Sequence, residues 1–113
     1  MTTPTNTSVK NLIGANVWNG IEGTTTTIVN DLISRAGEDI AQITSTTVGY
    51  DQEIRYRAAA LAVNNVLGGM GPASTGDKDL QNQRTYFNDE WRRKLIQRGY
   101  SPDGLRILME VED

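Results

Sequence analysis

The chain has 113 residues with a formal net charge of −3, 37% hydrophobic and 22% charged side chains, the size and balance of one folded domain with a single core. It contains neither cysteine nor histidine, which excludes disulfides, thiolate metal sites, cysteine nucleophiles and the commonest general base and metal ligand. Most enzyme classes fall with them, and the chain is expected to be no enzyme and to need no cofactor or metal.

Residues 1–8 are polar and threonine-rich and read as a flexible lead. They show no charged region followed by an apolar run, and no window approaches the ~20 apolar residues of a membrane span. A protein made and kept in the cytoplasm, without membrane contact, is the expectation. Between residues 9 and 21, Val9, Leu12, Ile13, Val17 and Trp18 hint at helical spacing. Gly14, Gly20 and Gly23 oppose it. The stretch stays open, and residues 1–23 are taken as a flexible N-terminal arm in which Trp18 is a candidate anchor on a neighbouring chain.

The first clear helix is predicted over 27–44, where Val29, Leu32, Ile33, Ala36, Ile40 and Ile43 share one stripe. A second is predicted over 51–67, started by Asp51 as N-cap and stopped by Gly68 and Gly69. It is apolar on two sides, Ile54, Ala58 and Leu61 on one and Ala59, Ala60, Val63 and Leu67 on the other, as expected of a central helix or of one packed on a partner. Residues 68–78 have the composition of a long glycine-rich loop. A third helix follows over 79–98, with Leu80, Phe87, Trp91 and Leu95 as its stripe, Arg84 among them and Gly99 as its stop. After the turn sequence Ser101-Pro-Asp-Gly104, the residues Leu105, Ile107, Met109 and Val111 alternate with mostly polar neighbours, the period of an extended strand. A strand without an internal partner is suited to pairing with another chain.

Several chemical motifs fail on inspection. Gly71 to Lys78 places Asp77 where a phosphate-binding loop needs lysine, and no hydroxyl follows Lys78. Asp77, Asp79 and Gln81 begin like a calcium loop, but Asn82 and Asn88 stand where glycine and a bidentate glutamate belong. The adjacent pairs Glu38-Asp39 and Asp89-Glu90 diverge by about 100° on a helix and read as solvated faces, with Glu90 spaced to pair with Lys94. Charge is uneven along the chain, +3 over residues 81–100 and −3 over 101–113. The basic helix, with Arg84, Arg92, Arg93, Lys94 and Arg98, suits either surface solubility or phosphate contact. A helix-turn-helix would need a shorter connection than the glycine-rich loop provides. Arg84, set among Leu80, Phe87 and Trp91, is expected to find a carboxylate within the fold or across an interface.

The expected fold is therefore mainly α: a small three-to-four-helix bundle over 24–100, with a long glycine-rich loop and extended arms at 1–23 and 101–113. The amphipathic helix 28–43, the alanine-rich helix 53–67, the loop and a last helix ending Trp91-Arg-Arg-Lys-Leu-Ile-Gln-Arg-Gly-Tyr100 together resemble the head-to-tail connector, or adaptor, proteins of tailed bacteriophages. That resemblance implies a structural virion component at the head–tail junction. It implies a homo-oligomeric, dodecameric ring that binds the portal and the tail or neck proteins, with packaged DNA passing through without sequence-specific binding. The partner-binding residues expected from the sequence are Trp18, Arg84, Leu105, Ile107, Met109 and Val111. Another neck protein, of the tail-completion or stopper kind, is the alternative within that class. From other classes come a small phage-type regulator binding DNA through its last helix and, distantly, a carboxylate-based enzyme.

Overall fold

In a computed structural model the chain is mainly helical; residues 5–21, 25–70 and 78–100 are described. Among the described residues four helices follow one another: α1 (Asn6–Gly20), α2 (Thr25–Thr44), α3 (Asp51–Met70) and α4 (Lys78–Gln97).

The reading of 1–23 as a flexible arm is corrected for most of its length. Thr5 caps α1 through a reciprocal pair, its Oγ1 accepting from the Ser8 backbone N–H at 3.2 Å while Ser8 Oγ accepts from the Thr5 N–H at 3.1 Å. Gly14 does not weaken the helix so much as hinge it. Its φ of 86° and ψ of 165° lie where only glycine is at ease, and they kink α1 there. On both sides of the kink the apolar residues recur every four positions, so Val9, Ile13, Val17 and Ile21 are all buried.

The predicted stripe of α2 is the observed one: Val29, Ile33, Ala36 and Ile40 are buried, with Leu32 and Ile43 packed at the margin. Its end differs from a glycine stop. Ser45 takes the left-handed φ of 68°, and its N–H donates to the Ala41 carbonyl at 2.8 Å, closing the last turn.

Asp51 is the first residue of α3 and not its expected N-cap, since the Ile54 N–H already donates to the Tyr50 carbonyl at 2.9 Å; nor do Gly68 and Gly69 stop the helix, which continues to Met70. Glycine permits a left-handed exit without imposing one, and here the backbone keeps its helical bonds. The two-sided apolar pattern has its explanation in the packing, since α3 lies between α1 and α2 on one side and α4 on the other. Ala58 to Val63 are buried without exception. Small side chains let neighbours approach closely; a Cβ built on Gly20 of α1 would stand 3.3 Å from Val66 of α3.

α4 buries Phe87, Trp91 and Leu95 and ends as expected at Gly99, whose φ is 103°. The Gly99 N–H donates to Ile96 and the Tyr100 N–H to Leu95, at 2.9 and 3.1 Å, the two bonds of a Schellman motif. Residues 71–77 of the expected glycine-rich loop and the expected arm 101–113, with Leu105, Ile107, Met109 and Val111, lie outside the described residues. No helix among the described residues is long and apolar enough to cross a membrane.

Candidate interaction surface

The chemistry-bearing side chains concentrate on the seam between α3 and α4, where three polar links run from one end to the other. At the first, Arg84 donates to Asn64 Oδ1 at 2.6 Å. Within the fold the half-buried guanidinium of Arg84 thus meets an amide oxygen on α3 in place of the expected carboxylate; the expectation of one across an interface concerns a second chain.

The middle link was not foreseen. Arg57 is 1% exposed; its Nε donates to Asp39 Oδ2 of α2 at 3.0 Å and its Nη1 to Asn88 Oδ1 of α4 at 3.2 Å. The same Asn88 oxygen accepts from Trp91 Nε1 at 2.9 Å, and the guanidinium carbon lies 5.4 Å from the Trp91 ring centre. One arginine therefore joins three helices. Asp39, read from the sequence as part of a solvated pair, is instead drawn in as the counter-charge that makes this burial tolerable.

At the third link Glu53, 1% exposed, pairs with Arg98 just beyond α4. Arg98 also donates to the Gly49 carbonyl at 2.9 Å and lies over the Tyr50 ring at 4.5 Å. The Tyr50 and Tyr100 hydroxyls meet at 2.6 Å. That hydrogen bond, with desolvation behind it, raises the Tyr100 pKa, because the protonated hydroxyl is the form the contact favours. Glu53 and Arg57 are spaced four apart on one helix, yet each pairs with a different element.

The basic helix is largely answered from within. Arg92 pairs with Asp89, and Arg93 pairs with Glu90, the partner that raises the arginine's pKa through their hydrogen bond. Glu90 thus takes Arg93 in place of the expected Lys94, whose ammonium lies 5.3 Å from the Tyr56 ring centre. These are exposed contacts of modest strength. The side of α4 turned from α3 shows Tyr86, 53% exposed, and Ile96, 41% exposed.

Trp18 is half-buried against the core with Lys10 of the same helix over its ring at 5.3 Å. It is therefore partly engaged within its own chain. Asp79 sits in the first turn of α4, where a negative charge complements the helix dipole. Asp77 lies outside the described residues. Among the described residues no three acidic side chains are grouped to hold a metal ion. Gln83 of α4 donates to the Ile13 carbonyl at 3.1 Å, beside the Gly14 kink, and so satisfies backbone at the break in α1.

Comparison with protein-family models, with curated proteins and with solved structures gave no match.

Proposed function

We propose that the chain is a structural virion component, a head-to-tail connector adaptor whose copies form an oligomeric ring joining the portal of a tailed bacteriophage to its tail around the DNA channel. The observation that carries the reading is the character of α4. Of its cations, Arg84, Arg92, Arg93 and Lys94 meet Asn64, Asp89, Glu90 and Tyr56 of the same chain, and Arg98 just beyond it meets Glu53, while Tyr86 and Ile96 stand exposed. Exposed aromatic and aliphatic groups flanked by paired charges suit a protein partner better than a duplex, whose affinity comes from cations available to phosphates. The sequence resemblance over 24–100 supplies the kind of partner. Residues 105–113, with Leu105, Ile107, Met109 and Val111 alternating, serve in this reading as an arm toward the portal or a neighbouring subunit.

Co-expression with the portal protein of the same genome tests the proposal. Electron microscopy of the purified product is expected to show an added ring of density on one end of the portal, with the two chains co-purifying in fixed ratio. Failure to associate, together with tight binding to one duplex sequence that weakens steeply with salt, would replace the connector by a DNA-binding regulator.

A further inference from the structure

At one edge of the α3–α4 seam two cations share a single aromatic ring. Arg55 of α3 and Lys94 of α4 lie 5.6 and 5.3 Å from the centre of Tyr56, which packs in turn on Phe87 at 6.1 Å. Tyr86 packs on the other side of Phe87 at 5.5 Å, and Arg93 is exposed beside it. Neither Arg55 nor Lys94 has a carboxylate partner among the described residues; Arg55 donates only to the amide oxygen of Gln52, at 2.6 Å. The result is a shelf of aromatic rings carrying two cations that lack anions, fitted to an acidic peptide with an apolar residue between its charges.

The chain itself holds a segment of that chemistry. It ends Glu110-Val-Glu-Asp113, and residues 101–113 carry a net charge of −3. Lys94 lies six residues before Tyr100, about 9 Å back along the helix. Ten residues such as 101–110 can span at most about 35 Å, more than that distance. A short tether gives an effective local concentration on the order of millimolar, above that of any second copy in dilute solution. We propose that in the isolated protein the acidic C-terminal residues Glu110, Glu112 and Asp113 dock in cis on the Arg55–Tyr56–Lys94 shelf. This deepens the connector reading and rests on it for its purpose: the arm is held on its own body until assembly exchanges the self-contact for a partner.

Zero-length carbodiimide coupling of the full chain, prepared as an equal mixture of ordinary and nitrogen-15-labelled protein, tests the latch. Mass spectrometry is expected to find Lys94 joined to Glu110, Glu112 or Asp113 within single isotopic species, and the links to fall several-fold in E110Q/E112Q/D113N. Absence of such links, or links divided evenly between like and mixed isotopes, overturns the proposal, the second outcome assigning the shelf to a neighbouring copy. Titration with a labelled 20-base-pair duplex at low salt is the second arm. Binding that disappears in R55Q/K94Q would make the shelf a phosphate site and also overturn it. Portal association is read separately, so a failed latch leaves the ring proposal standing.

Discussion

The two seams of α3 are built on different principles. Toward α1 the contact is made of small and apolar groups, with Gly20 against Val66 and the row Val9, Ile13, Val17 and Ile21 buried in the same core as the α3 alanines. Toward α4 an apolar centre of Phe87, Trp91 and Leu95 is flanked by the Asn64–Arg84, Arg57–Asn88 and Glu53–Arg98 links. Apolar contact stabilises but tolerates sliding, because dispersion and water exclusion are nearly indifferent to register. Directional bonds between buried groups tolerate very little, since a shift of one turn would leave a charge without its partner. The comparison teaches that α1 is held mainly by area and α4 by alignment.

Removing the centre of the polar seam should have the largest effect. Arg57→Ala strands Asp39 and takes a donor from Asn88, and is expected to cost about 3–5 kcal/mol in urea unfolding, as loss of one partner of a buried pair does. A loss below about 1 kcal/mol would mean that the seam is apolar in its energetics, whatever its geometry. The apolar seam is probed by Ala59→Leu. Ala59 is fully buried and lies seven residues before Val66, hence on nearly the same face of α3. Overpacking there should cost about 1–3 kcal/mol, and a neutral result would show that α1 can shift to make room.

The helical body was legible in the sequence where one physical signal dominated. The α2 stripe depends on period alone, and Gly99 marks the end of α4 because the left-handed residue there is glycine. α1 was missed because glycine was charged with a helix penalty at Gly14, when the residue sits at a kink and is not helical at all. The four-residue spacing of Val9, Ile13, Val17 and Ile21 was the signal that outweighed it. Arg57 was missed for a different reason. Periodicity reports how much apolar surface a helix carries, and an arginine next to six consecutive small or aliphatic residues, Ala58 to Val63, reads as a blemish in the pattern. Only a partner on another helix, Asp39, turns it into part of the core. Trp18 and Arg84, singled out in the sequence as partner-binding residues, both have contacts inside the chain. Whether either also touches a second molecule is a question of assembly, which periodicity does not address.

The end of the polar seam responds to alkali. With the Tyr100 pKa raised in the folded chain by its bond to Tyr50, the contribution of that contact is complete below the ordinary tyrosine pKa of about 10 and is lost as pH rises through the folded value. Stability measured between pH 8 and 11.5 should therefore fall at the alkaline end, and more shallowly in Tyr100→Phe. An identical slope in the variant would show that the hydroxyl pair carries no linkage. The smallest effect belongs to the turn outside both seams. Ser45→Gly relieves a positive φ and should stabilise by about 0.5 kcal/mol, visible as a small rise in Tm without change in the urea m-value. A destabilised variant would indicate that the serine side chain contributes more than its backbone strain costs.

Arg57 has a consequence beyond its own energy. No direct helix-to-helix packing joins α2 and α4, yet Asp39 on one and Asn88 on the other hold the same guanidinium. Fraying of α4 would unload Asn88 and weaken the hold on α2, so the two outer helices open together or not at all. In amide hydrogen exchange the slowest protons of α2 and α4 should then share one opening free energy, although the backbones of the two helices do not approach closely.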